Sequence, residues 1–220
     1  MKILAIDTAT ERCSVALCVD GQCFERAVDT QRGHAEIVLP MVDEVLREAG
    51  VALADLDGIA YGRGPGAFTG VRIAIGVVQG LAFGARLPTV GISDLAAVAQ
   101  QVAAPNGRVL VCMDARMSEV YWALFETSTD GAVNAASEER VTTPTDVAAE
   151  GVTTLAGTGF SAHPDLRARW PEALVHDRVL PRAREIAQLG AFALRAGQGQ
   201  PAAHAQPVYL RDQVTFVKGV

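Results

Sequence analysis

The stretch RGPGAFTGVRIAIGVVQGLAFG, Arg63 to Gly84, joins a glycine-rich turn to a long apolar segment with few polar side chains. A turn of this kind at the start of a helix often binds phosphate. The P-loop pattern G-x-x-x-x-G-K-[ST] fails here because no lysine follows the glycines, and the dinucleotide pattern G-x-G-x-x-G is only nearly matched. Two interpretations therefore stay open: an anion site at the helix start, Thr69, or a tight turn that merely starts the helix.

The helix predicted after this turn carries a stripe of small residues. Arg72, Gly76, Gly80 and Gly84 follow one another at intervals of four, so they share one face. Glycine inside a helix costs about 1 kcal/mol relative to alanine, and the usual compensation is the close approach of another backbone. That backbone belongs either to the chain's own sheet or to another chain. The other faces are apolar, which predicts burial on both sides.

The composition is typical of a compact protein, since half of the 220 residues are hydrophobic and 20% are charged. A net charge of −6 and the absence of a basic run disfavour direct nucleic-acid binding. The cysteines, Cys13, Cys18, Cys23 and Cys112, form no C-x-x-C pair, so we expect buried, reduced thiols. The N-terminal segment lacks the features of a signal peptide, and the apolar helix is shorter than the ~20 residues of a membrane span. We therefore expect a soluble cytoplasmic protein without a membrane segment.

Hydrophobic periodicity predicts alternating strands and helices. Helices are expected at His34–Ala49, Thr69–Gly84, after Ser93 and at Ala183–Ala196, and Pro40 should kink the first of them or mark its true start. The segments KILAID, CSVALCV and CFERAV predict a three-stranded meander, with the turn DGQ between the last two.

A repeat relates the two halves of the chain. RVLVCMDA, like KILAID, is an apolar segment that leads to an aspartate, and a second segment with a strand pattern follows each of them. The same spacing of 107 separates three pairs, Asp7 and Asp114, Ala16 and Ala123, and Leu17 and Leu124. We predict a duplicated α/β fold of two lobes, 1–104 and 105–220, with a tail that can return to the first lobe.

Candidate catalytic residues are few. Asp7 and Asp114 end corresponding strands, where they either face a cleft between the lobes or cap the turns that follow. No two of the four histidines are three to five residues apart, so the sequence contains no helical metal pair. The G-x-S-x-G motif of α/β-hydrolases is also missing.

Three segments together resemble the TsaB (YeaZ) family: ILAIDTAT, GRGPGAFTGVRIAIGVVQGLA and the closing PVYLR. The resemblance is close over the first half of the chain and looser beyond it. It implies the duplicated fold of actin, sugar kinases and Hsp70 (the ASKHA fold). It also implies a non-catalytic subunit required for threonylcarbamoylation of adenosine 37 in tRNAs that read codons beginning with adenine, a reaction carried out by the paralogue TsaD.

The resemblance implies that this chain lacks parts of the paralogue's chemistry. TsaD-like chains place two metal-binding histidines where this sequence has Asp94 and Val98. The segment MDARMSEV, where related kinases have a second phosphate loop, contains no glycine. We therefore expect no metal and no cofactor of its own, with ATP used by the complex and the metal held by the partner. The residues of a vestigial nucleotide cleft would be Asp7, Thr8, Asp114, Gly157 and Gly159.

The implied partners are a TsaD-like subunit and a TsaE-like ATPase. The resemblance also implies a homodimer when the chain is alone, and contact with tRNA only through another subunit. Family members pair through helices of the first lobe. The implied interface residues are His34, Ile37, Val38, Met41, Val45, Thr69, Arg72, Ile73, Gly76, Val77 and Gly80. Two alternatives remain: a stand-alone ATP-dependent kinase or transferase that uses Asp7 and the Gly64–Gly66 turn, and, less favoured, a metallopeptidase.

Overall fold

Two mixed β-sheets organise the computed structural model, which describes residues 1–211. The first sheet contains five strands, β1 Lys2–Asp7, β2 Arg12–Val19, β3 Gln22–Asp29, β4 Gly58–Gly62 and β5 Thr89–Ile92. The second contains six, β6 Arg108–Asp114, β7 Val120–Thr127, β8 Val133–Ala135, β9 Arg140–Thr142, β10 Thr154–Ala156 and β11 Leu174–His176. The final part of the tail, 212–220, lies outside the described residues.

The two sheets have the same plan, as the repeat predicts. In the first, the β1–β3 meander is antiparallel, and β4 and β5 run parallel to β1, in the order β3-β2-β1-β4-β5. In the second, β6 and β7 are antiparallel, and β10 and β11 run parallel to β6. Its order is β11-β10-β6-β7-β8, with β9 also paired to β7. The short strands β8 and β9 are not anticipated by the sequence pattern.

Within residues 1–211, six α-helices pack on these sheets: α1 His34–Ala49, α2 Phe68–Ala85, α3 Asp94–Val102, α4 Gly159–Ala162, α5 Pro164–Arg167 and α6 Ala183–Arg195. α1 and α2 cover the outer face of the first sheet. α3 and α6 lie in a core that both sheets share. α6 packs on β1, β2 and β4, so the chain returns to the first lobe after the second sheet. Pro40 does not mark the start of α1, because the helix already begins at His34.

The strand register refines the repeat. Ala5 lies opposite Ala16 in the first sheet, and Val111 lies opposite Ala123 in the second, with all four in the shared core. The second strands of the lobes therefore keep the spacing of 107, whereas the first strands correspond at 106. Because strand side chains alternate between faces, Asp114 is not the structural counterpart of Asp7, and the predicted equivalence of the two aspartates is wrong.

The expectation of four reduced thiols is also wrong for two of them. Cys18 and Cys23 form a disulfide across the β2–β3 hairpin, with their Cα atoms 4.1 Å apart, whereas Cys13 and Cys112 are free and buried. The turn between the strands, Asp20–Gly21, has positive φ at both residues, as in a two-residue type I′ hairpin. This turn fixes the register and places the two cysteines directly opposite each other.

Candidate functional site

The glycines of the first turn are explained by a close approach within the chain itself. The turn packs on the segment that follows β1: a Cβ atom at Gly66 would lie 2.5 Å from the carbonyl oxygen of Ala9, and one at Gly70 would collide with the carbonyl oxygen of Thr8. Gly64 has a φ of 96°, a left-handed conformation that favours glycine. The tight-turn interpretation therefore accounts for these glycines without a phosphate.

Thr8 fastens the start of α2. Its Oγ1 donates a hydrogen bond to the carbonyl oxygen of Gly70 at 2.6 Å and accepts one from the backbone N–H of Ala74 at 3.1 Å. The hydroxyl thus contacts both the carbonyl of Gly70 and the amide of Ala74, four residues apart in the first turns of the helix. Because Thr8 is fully buried, its contacts are structural ones with α2.

Asp7 is buried and does not face an open cleft. Its Oδ1 accepts a hydrogen bond from the backbone N–H of Ala9 at 2.8 Å, which is the turn-capping alternative. Its other neighbour is Asp94, which is equally buried and accepts from the N–H of Gly64 at 2.6 Å. Ser93, rather than Asp94, caps α3 by accepting from Ala96.

The remaining cleft candidates belong to the second lobe and are bonded within it. Asp114 Oδ1 accepts from the backbone N–H of Arg116 at 2.9 Å, so this aspartate also caps a turn. Gly157 and Gly159 pack on the carbonyl of Cys112, where a Cβ atom at Gly159 would lie 2.9 Å from the oxygen. The structure thus divides the five predicted cleft residues into two sets, each of which has internal contacts that explain it.

The stripe on α2 faces outward. Arg72, Gly76, Gly80 and Gly84 are all exposed, and a Cβ atom at any of the three glycines would meet nothing within 4 Å. The opposite face, with Val71, Ala74, Ile75, Val78 and Ala82, packs on the first sheet. The chain's own sheet is therefore not the backbone that approaches these glycines. The prediction that this helix is buried on both sides is wrong for the single chain.

The exposed face of α2 is large and apolar. Only 28% of its 18 residues are buried, and Phe83 is 82% exposed. By length and composition alone the helix would pass for a membrane span, but a single helix of this kind is weak evidence because core helices pass the same test. Ile73 and Val77 are partly buried beside the stripe, and Thr69 is exposed at its start.

The burial of α1 corrects several predicted interface residues. Val38 and Val45 are fully buried, and Met41 and His34 are nearly so, because these positions form the face that packs on the first sheet. Such side chains are not available to a partner. Ile37 is partly buried, and the large exposed apolar residues of this region are Leu39 on α1 and Val28 on β3. A groove of about 280 Å³ between α1 and β3 is lined by Ile37, Pro40 and Val28.

An aromatic cluster at the start of α2 is not anticipated by the sequence pattern. The Arg72 guanidinium lies 3.3 Å from the centre of the Phe68 ring and 4.8 Å from that of Tyr209. The two rings are stacked at 6.0 Å. Tyr209 comes from the tail, where the backbone N–H of Val208 donates to the carbonyl of Arg63. The cluster continues the exposed face of α2, since Phe68 is 58% and Tyr209 is 47% exposed.

Among residues 1–211, no group of three or more histidine, cysteine, aspartate or glutamate side chains could hold a metal ion. Asp94 and Val98, at the positions where the resemblance predicts the paralogue's histidines, are both fully buried in this chain.

Comparisons with known proteins agree with the motifs. Over 99% of its length the chain is 43% identical to the Escherichia coli K12 "tRNA threonylcarbamoyladenosine biosynthesis protein TsaB", 98% of which it covers. The chain belongs to the TsaB (YeaZ) family. The Haemophilus influenzae TsaB is 35% identical over 99% of the chain and 97% of the relative. Residues 28–163 also match the family model described as "TsaD: tRNA N6-adenosine threonylcarbamoyltransferase".

A solved structure described as YeaZ from Pseudomonas aeruginosa has 43% sequence identity to this TsaB-family chain and a TM-score of 0.84. The alignment covers 95% of this chain and 99% of that one. The paired sheets and the family together establish the fold class as the duplicated ASKHA α/β fold.

Proposed function

We propose that this TsaB-family protein is a non-catalytic subunit that binds a TsaD-like paralogue and stabilises its active arrangement. The family places the chain in tRNA threonylcarbamoyladenosine biosynthesis, within a complex of Tsa subunits. The proposal adds the mode of action: docking through the first lobe, and chemistry carried out by the partner for adenosine 37 of tRNAs that read codons beginning with adenine.

The observation that carries the proposal is the outward glycine stripe of α2. A helix that exposes Gly76, Gly80 and Gly84 beside Phe83 loses helix propensity and leaves apolar surface in water. A second helix packed on the stripe offsets both costs, because its backbone can approach closely where side chains are missing. A paralogue with the same fold offers such a helix, and so does a second copy of this chain, which accounts for a homodimer when the chain is alone.

The cleft residues support a non-catalytic subunit. Asp7, Thr8 and Asp114 are engaged in turn capping or in fastening α2, and Gly157 and Gly159 receive a backbone carbonyl. The kinase alternative depended on Asp7 and the Gly64–Gly66 turn, and both are now explained by packing. The metallopeptidase alternative gains no support from the described residues. In the proposal the partner holds the metal, the complex uses ATP, and this chain brings no cofactor.

The other parts of the complex follow from charge and family. A net charge of −6 disfavours direct contact with tRNA phosphates, so the TsaD-like subunit holds the tRNA. A TsaE-like ATPase joins the pair. We place the assembly in the cytoplasm, where its tRNA substrates are.

The test compares Gly80→Leu with Gly80→Ala and the natural chain in a reconstituted reaction. The mixture contains TsaD-like, TsaE-like and carbamoyladenylate-forming proteins, tRNA, threonine, bicarbonate and ATP, and the modified adenosine is quantified. Both substitutions raise helix propensity by about 1 kcal/mol and meet open space in the single chain, so both variants should fold at least as stably as the natural chain.

The leucine should block the close approach of a partner helix, whereas the single methyl group of alanine should only weaken it. We expect product with the natural chain, reduced product with Gly80→Ala, and little product or TsaD-like binding with Gly80→Leu. Product that forms equally well without this chain would refute the subunit role. Full activity of Gly80→Leu would refute docking through the stripe. ATP turnover by the isolated chain would favour the kinase alternative.

A further inference from the structure

Two aspartates meet in the dry interior of the first lobe. Asp7 ends β1 and Asp94 begins α3, and neither side chain is exposed to solvent. Both carboxyl groups crowd the α-carbon of Gly62, because a Cβ atom there would lie 2.6 Å from an oxygen of each. Two carboxylates that are this close and this buried cannot both carry a full negative charge.

The oxygen atoms of the pair show where a proton belongs. Asp7 Oδ1 accepts from the N–H of Ala9, and Asp94 Oδ2 accepts from the N–H of Gly64. Asp7 Oδ2 and Asp94 Oδ1 have no hydrogen-bond partner among the described residues, and two carboxylates have no donor to offer each other. One proton shared between the carboxyl groups supplies a donor and removes the cost of unpaired buried oxygens.

The surroundings favour a pair that keeps one proton. Burial raises the pKa of Asp7 to about 6. Burial, followed by the charge of Asp7, raises the pKa of Asp94 well above its usual value. The charged or titratable groups that face the pair from other elements are His34 on α1, Arg63 after β4 and Cys13 on β2. His34 and Arg63 favour the charged carboxylates, but burial is the larger effect.

We propose that Asp7 and Asp94 form a proton-sharing carboxyl pair that fixes the Gly64–Pro65 turn, and that loss of the shared proton releases this turn and with it the start of α2. Asp94 is the positioning residue, because it holds the N–H of Gly64, the first residue of the turn. The consequence for partner binding rests on the function proposed above. The shared proton itself does not depend on that function.

The pair makes stability depend on pH with a defined sign. An aspartate in the unfolded chain loses its proton near pH 4, whereas burial raises the pKa of Asp7 to about 6 and raises the pKa of Asp94 well above its usual value. The native state therefore binds more protons than the unfolded state, so stability falls as the pH rises through this window. Asp94→Asn keeps an acceptor for Gly64 and offers Asp7 a permanent donor, which should remove most of this fall.

The isolated chain is tested first by carbon-13 NMR of the aspartate carboxyl groups. We expect one carboxyl group still protonated at neutral pH, and we expect its signal to be lost in Asp94→Asn. Thermal unfolding from pH 5 to 9 is then followed for the natural chain, Asp94→Asn and Asp94→Ala. Asp94→Ala leaves the N–H of Gly64 without an acceptor. Its midpoint of thermal unfolding should therefore lie about 4 °C or more below that of the natural chain at every pH. Asp165→Asn, on the exposed helix α5, is the matched control and should behave as the natural chain.

His34 also faces the pair and lowers the pKa of Asp7, so the same series is repeated in His34→Gln. A flatter pH profile in Asp94→Asn than in the natural chain, in both backgrounds, supports the pair. If both carboxyl groups deprotonate below pH 5, or if Asp94→Asn retains the natural slope, the pair is refuted.

Partner binding is measured last, as the affinity for the TsaD-like subunit between pH 6 and 9. The natural chain should lose about fivefold or more in affinity relative to Asp94→Asn as the pH rises. If the affinities of the natural chain and of Asp94→Asn depend equally on pH, the proposal that the carboxyl pair controls the start of α2 is refuted. An absence of binding at every pH would refute the proposed function and leave the NMR result on the pair intact.

Discussion

Glycines within one short segment have opposite roles at the residue scale. Gly70 lies against the carbonyl oxygen of Thr8, whereas Gly84, on the outward face of the same helix, has no neighbour within 4 Å of a Cβ position. The backbone at Gly70 is part of the junction with β1 and cannot yield like a flexible side chain. Gly70 is therefore needed for the folding of the first lobe, whereas Gly84 is needed only for the binding of a partner to the outward face of α2.

Gly70→Ala should lower the free energy of unfolding by about 2–3 kcal/mol, because overpacking against backbone outweighs the gain in helix propensity. Gly84→Ala should raise it by up to about 1 kcal/mol. Urea unfolding of the isolated chain measures both. Equal stability of Gly70→Ala and the natural chain would show that the contact with Thr8 relaxes at little cost.

Spacing in the sequence could not separate these two kinds of glycine. The pattern from Gly64 to Gly70 was ambiguous because a phosphate and a neighbouring backbone both require the absence of a Cβ atom. The sequence indicates two roles for Asp94, a helix cap beside Ser93 and the place of a paralogue's histidine, and neither points to Asp7. Its approach to Asp7 joins residues distant in the chain and depends on how the start of α3 meets the end of β1 beside Gly62, which local patterns do not reveal.

At the scale of elements, the β2–β3 hairpin combines a two-residue turn with a cross-strand disulfide. The turn Asp20–Gly21 sets the register, and the bond between Cys18 and Cys23 then closes a short loop with a sequence separation of 5. A signal was present in the sequence, because the two cysteines are placed symmetrically about a D-G turn. The expectation of reduced thiols rests on the cellular compartment and does not take the geometry of the hairpin into account.

Reduction of this disulfide should destabilise the chain by about 2 kcal/mol, the entropy of closing so short a loop in the unfolded state. For a protein of this size the midpoint of thermal unfolding should fall by roughly 4–8 °C. Cys18→Ser/Cys23→Ser should show the lower midpoint with or without reductant. Because Cys13 and Cys112 are buried, the chain is alkylated in denaturant without reductant, and mass spectrometry then counts the free thiols; modification of Cys18 and Cys23 under these conditions would contradict the bond.

The helices show which parts of a fold local patterns predict. The bounds of α1 match the prediction, those of α2 differ by one residue at each end and those of α6 by one residue at the last, because helical periodicity and glycine stops are local signals. Which face of α2 is exposed could not be predicted, since the helix is apolar on almost every side. The strands β8 and β9 were missed because both depend on pairing with β7 rather than on their own short sequences.

At the scale of the whole molecule, one core joins the two lobes. It includes residues of both sheets together with α3 and α6. The packing of α6 on the first sheet is close, because a Cβ atom at Gly190 would lie 2.6 Å from the Cβ of Ala60. An ion pair between Arg63 of the first lobe and Glu139 of the second adds a polar link at 2.8 Å. The lobes are thus halves of one packed unit.

A continuous core predicts a single cooperative unfolding transition. Both tryptophans, Trp122 and Trp170, lie in the second lobe, so their fluorescence reports on that lobe alone, whereas far-UV circular dichroism also reports on α1 and α2. In Gly70→Ala, whose defect lies in the first lobe, both midpoints should shift to lower urea by the same amount, because the second lobe loses its half of the core when the first unfolds. A fluorescence midpoint that stays in place while the circular dichroism midpoint falls would mean that the lobes unfold separately. The shared core would then contribute less to stability than the core within each lobe.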